Sequence, residues 1–176
     1  AADIEGDDAS RKICILASLA FGEHIYPDNV PTEGITKITV EDMQYAERGG
    51  YTIKLIGRAK PAADGKYMVM VSPALLSTQS QLANINGVFN GVLVRGNATG
   101  DVVFYGKGAG KLPTASAVVG DIVDCVTVPG TILSLSWKNS TENNVLAPEE
   151  LDSKLYVRAT ASEKAVKELF GQVEFL

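Results

Sequence analysis

The sequence predicts an α+β fold, a mixed, largely antiparallel sheet covered by helices on one face. Three observations carry that expectation. Two helix-patterned segments lead the chain, within residues 7–21 and 39–48. Four runs rich in Val, Ile and aromatics follow, the first two joined by Asp64-Gly65. Finally Asp101-Val102-Val103-Phe104-Tyr105 ends abruptly in Gly106, Gly108 and Gly110, after which Val118, Val119, Ile122, Val123 and Val126 recur at helical spacing.

At 176 residues the chain fits one ordinary domain plus an extension. With 16 basic and 21 acidic residues its net charge is −5, and no basic stripe with interleaved aromatics appears, so nucleic acid is not an expected partner. Cys14 and Cys125 lie far apart inside apolar runs, and His24 is the sole histidine, so both cysteines read as buried free thiols in a reducing compartment and no metal site is expected. No apolar run reaches the length of a membrane span and the first residues lack a signal-peptide pattern, which points to the cytoplasm and away from membranes. The chain starts Ala1-Ala2-Asp3 and stops on Val173-Glu174-Phe175-Leu176, ends that read as cut from something longer.

In chain order, Asp7-Asp8-Ala9-Ser10-Arg11-Lys12 leads into Ile13–Phe21 and Gly22. This is a helix with an acidic cap and a glycine stop, apolar nearly all round and so expected to be deeply buried. A loop with two prolines follows, where His24 reads as a surface or packing residue. Thr39-Val40-Glu41-Asp42 opens a second helix in the manner of a capping box, and Gly49-Gly50 ends it. Strands are expected over 51–59, 66–72, 88–96 and up to the glycines at 106. The helix begun at Pro113 stops at Val128-Pro129-Gly130. An extended stretch over 131–137, a polar connector to Asp152, a strand over 154–160, a helix over 161–171 and a further strand start over 172–176 complete the reading.

Two places could carry chemistry. Asp8 and Lys12 are four apart and share a helix face next to the acidic lead-in that holds Asp3. They read either as a lysine on the floor of a cleft lined by Asp3 and Asp8, or as a plain surface ion pair. The glycine turn leaves a backbone almost free of Cβ atoms ahead of a helix start, a place for an anionic or carbonyl-bearing group or simply a tight turn. It matches neither named phosphate motif: the third glycine comes one residue too early for the dinucleotide fingerprint, and Leu112 stands where a P-loop needs Ser or Thr.

Taken together, several blocks resemble the catalytic region of homoserine dehydrogenases. They are Asp8-Ala9-Ser10-Arg11-Lys12, Glu33-Gly34-Ile35-Thr36, Gly50-Tyr51-Thr52-Ile53-Lys54-Leu55-Ile56, Gly87-Val88-Phe89-Asn90, Phe104–Gly110 and Pro113–Asp121. The resemblance implies residues 1–127 as a catalytic and dimerisation region, 128–152 as a connector, and 153–176 as the start of a C-terminal regulatory module. It implies hydride exchange with NAD(P) between homoserine and aspartate semialdehyde, with Lys12 as acid/base and Asp3 and Asp8 holding the substrate ammonium. Gly108 and Gly110 become cofactor contacts. A homodimer is implied, as is dependence on an N-terminal Rossmann domain that these residues lack, so the fragment alone is expected to be inactive. Ser80-Gln81-Leu82-Ala83 departs from the His-Pro-Leu-Ala of many relatives, which removes any loop-borne histidine but leaves Lys12 untouched. The alternative is a non-catalytic ligand-binding or oligomerisation module.

Overall fold

A computed structural model describes residues 2–128, 130 and 136–175. Most of the extended stretch expected over 131–137, together with Pro129 and Leu176, lies outside the described residues. The chain divides into two compact units, residues 1–75 with 136–176, and residues 76–135.

The first unit is built on a helix whose start differs from the expected acidic cap. A short turn of helix, α1 (Ala2–Glu5), meets α2 (Asp7–Phe21) at Gly6, which occupies the cap position at φ 89. A Cβ there would be strained and would come within 3.0 Å of the Thr32 methyl, so the glycine is required. Asp7 and Asp8 fall instead in the first turn, beside the positive end of the helix dipole. Gly22 in the left-handed region ends α2, its N–H donating to Ser18 O.

α2 buries one stripe, Ser10, Cys14, Ala17 and Ser18, while Ile15, Leu16 and Leu19 remain exposed. The expected all-round burial is therefore wrong among the described residues: α1, a 3₁₀ turn over Pro27–Asn29 and the first strand pack along α2 on limited faces. Ser18 Oγ donates to Cys14 O at 2.7 Å and accepts from Ile25 N at 2.9 Å, stitching the following loop to the helix. The core collects Cys14, Ala17, Ile25, Val30, Val69 and Val145, with Ile13, Phe21, Ala59 and Tyr67 packed against it.

α3 (Val40–Arg48) carries the expected capping box: Thr39 N donates to Asp42 Oδ2 at 2.8 Å and Asp42 N to Thr39 Oγ1 at 3.3 Å. β1 (Tyr51–Pro61) and β2 (Tyr67–Ser77) form one two-stranded ribbon, turned through Asp64 (φ 58) and Gly65 (φ 74). Gly57 lets α2 lie close on β1, since a Cβ would sit 3.1 Å from that of Ile13.

Residues 136–146 return to this unit. His24 N donates to Lys138 O and Lys138 N to Gly22 O, while Tyr67 N donates to Asn144 O and Leu146 N to Tyr67 O, all at 2.8–2.9 Å. The expected strand over 154–160 does not form, and 172–175 are likewise without a strand. The first of these segments is held by the side chains of Tyr156 and Arg158. The expected terminal helix forms as α5 (Glu163–Phe170), its Ser162 side chain accepting from Ala165 N at the cap.

In the second unit β3 (Phe89–Gly96) and β4 (Gly100–Lys107) pair antiparallel, from Phe89 opposite Lys107 to Gly96 opposite Gly100. Arg95 grips Asp101 across the pair at 2.6 and 2.9 Å, and Phe89 stacks on Tyr105 with centroids 4.8 Å apart. α4 (Lys111–Thr127) follows and buries none of its residues, so Cys125 is exposed rather than buried as its apolar neighbours suggest.

Candidate active site

The first turns of α2 bring Asp8 and Lys12 together. Lys12 Nζ lies 2.7 Å from Asp8 Oδ2, with the side chains 63% and 45% exposed. Helical spacing alone accounts for the contact, and Asp8 N-terminal to Lys12 is the favoured order. Asp3, on α1, is exposed, and among the described residues no hydrogen bond or ion pair joins it to either partner. The pair thus presents an ammonium and a carboxylate to solvent from a rigid helix, a suitable arrangement for gripping a zwitterion or exchanging a proton.

The glycine turn lies in the second unit. Gly110 caps α4 at φ 121 and ψ 157, a conformation for glycine alone, and its carbonyl accepts from Thr114 N at 3.1 Å. At Gly108 a Cβ would meet the end of the exposed Asn90 side chain, which can turn away. Gly106 has open space around it. Of the two candidate cofactor contacts, Gly110 thus has a structural reason to be glycine. The turn also fits a flat or phosphorylated group, since Gly106 leaves room and the first amides of α4 lack helical partners.

A cavity of about 180 Å³ is lined by Arg11, Cys14, Ile15 and Ser18 of α2 together with His24, Ile25, Pro27 and Trp137. Lys12 does not line it. His24 packs against Tyr26 and Trp137 with ring centroids 4.1 and 5.7 Å away, the packing role expected of it. Burial pushes the Cys14 thiol pKa up, which keeps it protonated and inert.

With this geometry in hand, comparison with known proteins is decisive. A family model described as homoserine dehydrogenase matches residues 1–123. The chain belongs to the homoserine dehydrogenase family. The Pseudomonas aeruginosa homoserine dehydrogenase is 39% identical over 168 residues, covering 92% of this chain and 38% of that protein. The structure of S. aureus homoserine dehydrogenase superposes with a TM-score of 0.69 at 38% identity, over 80% of this chain and 35% of the other. A hyperthermophilic archaeal homoserine dehydrogenase in complex with NADPH matches with a TM-score of 0.54 at 28% identity, over 73% of this chain and 35% of the other. The chain spans 33% to 40% of the length of the first three curated relatives.

For a homoserine dehydrogenase chain, two features escaped the sequence reading. Asn90 was visible only as part of a family block, yet it is the side chain under Gly108. Asp42 was legible as a cap, whereas its partners Tyr156 and Arg158 come from more than a hundred residues away and leave no local signal.

Proposed function

We propose that this chain supplies the catalytic part of a homoserine dehydrogenase, interconverting L-homoserine and L-aspartate 4-semialdehyde in the cytoplasmic synthesis of threonine and methionine. The observation that carries the reading is the Asp8–Lys12 pair at 2.7 Å, set at a helix start in a chain of this family. In the oxidative direction the C4 hydroxyl loses its proton to the Lys12 amine while hydride leaves C4; in reverse the Lys12 ammonium returns the proton to the forming alkoxide. Asp8 holds the lysine in place and, with Asp3, attracts the substrate ammonium. The nicotinamide cofactor, NAD(P), supplies hydride acceptance and donation. Gly108 and Gly110 set the backbone that approaches it.

Residues 1–127 form the catalytic and dimerisation region in this reading, 128–152 the connector and 153–176 the start of a C-terminal module; the match over 1–123 supports the first boundary. A Rossmann domain of the same protein is assigned the nucleotide, and the fragment by itself is expected to be inactive. Support comes from α4, whose Leu112, Val118, Val119, Ile122, Val123 and Val126 are all exposed and call for a covering partner. The outward Phe104 and Tyr105 of β4 favour a homodimer.

The test joins residues 1–176 to a nucleotide-binding domain of the family and follows nicotinamide absorbance with homoserine as substrate. Turnover supports the proposal. A folded, nicotinamide-binding protein that leaves homoserine unchanged rejects it in favour of a non-catalytic binding or oligomerisation module. The exposure of Asp8 and Lys12 is the observation that favours that second reading.

A further inference from the structure

Asp42 is 4% exposed, and its carboxylate accepts three hydrogen bonds and meets one guanidinium. Oδ2 accepts from Thr39 N at 2.8 Å and Thr39 Oγ1 at 2.9 Å, the local cap of α3. Oδ1 is met from the far end of the chain, by Tyr156 OH at 2.8 Å and Arg158 Nε at 3.3 Å. Arg158 Nη1 also donates to Thr39 Oγ1 at 2.7 Å and lies 4.0 Å from Glu41. Two side chains at i and i+2 on an extended backbone thus point the same way and straddle the first turn of α3.

Nothing else described accounts for how this segment is held. Residues 154–159 pair with no strand, and the apolar Leu155 and Val157 flanking Tyr156 are exposed, so neither a ladder nor burial of those residues fixes it. Burial, first, and the Asp42 carboxylate push the Tyr156 hydroxyl up to about 12, in keeping with a proton kept as a donor.

We infer that Tyr156 and Arg158 form a latch that straps residues 154–160 to the capped start of α3, with Asp42 as its keeper. The latch gives a C-terminal module a handle on the catalytic region. α3 packs on β1, and β1 through Gly57 touches Ile13, the neighbour of Lys12. Force or ordering applied beyond residue 160 therefore reaches the helix that carries the candidate lysine. The strap itself does not depend on the activity assigned above.

Limited digestion and hydrogen exchange on the full protein test this. Tyr156→Phe and Arg158→Gln leave the Thr39–Asp42 box intact, so each is expected to speed subtilisin cleavage within 154–160, and amide exchange in the first turn of α3, about tenfold or more, as loss of a hydrogen bond to a charged group implies. Leu155→Ser, at the exposed position just before Tyr156, is expected to change neither. Unchanged cleavage within 154–160 in the variant carrying both Tyr156→Phe and Arg158→Gln overturns the latch. Faster cleavage there with α3 exchange unmoved overturns the link to the catalytic region. Equal release by Leu155→Ser overturns the assignment to Tyr156 and Arg158. None of these readouts uses turnover, so a failed dehydrogenase assignment stays distinguishable from a failed latch.

Discussion

Replacing Lys12 by alanine separates catalysis from structure, because the two roles predict effects of very different size. The Nζ–Oδ2 contact of 2.7 Å joins side chains that are 63% and 45% exposed, so solvent screens it heavily. An exposed i,i+4 pair of this kind contributes about 0.3–0.5 kcal/mol. Asp8 keeps its favourable place in the first turn without the lysine, so no unpaired buried charge is left behind. For a chain of this length that is a shift in Tm of about 1–2 °C. Loss of a positioned acid/base, by contrast, lowers the rate by about 10²–10⁴-fold, or about 3–5 kcal/mol of barrier. Thermal melting by circular dichroism and nicotinamide-linked turnover, measured on the same full-length preparation, give both numbers. A melt lowered by many degrees, with turnover falling only in proportion to the folded fraction, would refute the catalytic reasoning and make the pair structural.

Other expectations follow from the same contacts. Gly110→Ala is expected to cost about 1–3 kcal/mol because φ 121 suits only glycine; Gly106→Ala, in open space, is expected to gain about 0.4–1 kcal/mol. Urea midpoints of the two variants check the contrast. In residues 1–176 taken alone, a thiol reagent should label the exposed Cys125 rapidly and the buried Cys14 only on unfolding, and equal rates would contradict that difference. Asp42 is held below the usual aspartate range, chiefly by the Thr39 backbone N–H, despite the opposing effect of burial. Its folded value is depressed, so its contribution is complete above the unfolded value of about 4 and is lost as pH falls through the lower folded value. Urea titrations from pH 7 to pH 3 should show that loss in the wild type and a flatter profile in Asp42→Asn.

The elements written in short-range code were legible in the sequence. Thr39 with Asp42 and Asp64-Gly65 each act within a few residues, and the structure places a cap and a turn there. Burial was less legible, because it depends on what lies opposite. The apolar runs of α2 and α4 promise interior helices, yet Ile15, Leu19 and the Cys125 region are exposed among the described residues. The run at 154–160 has strand-forming letters, and its two polar-tipped side chains bond to α3 instead of a neighbouring backbone. The Asp8–Lys12 contact was likewise readable from spacing, while the reason to give it chemistry comes from the family to which the chain belongs.

Chemical rescue probes the proton-transfer claim at its source. Ethylamine titrated into the Lys12→Ala form of the full-length enzyme, with homoserine and nicotinamide saturating, should restore turnover in proportion to amine concentration. A Lys12→Ala enzyme that oxidises homoserine at the parental rate with no amine added would contradict the account.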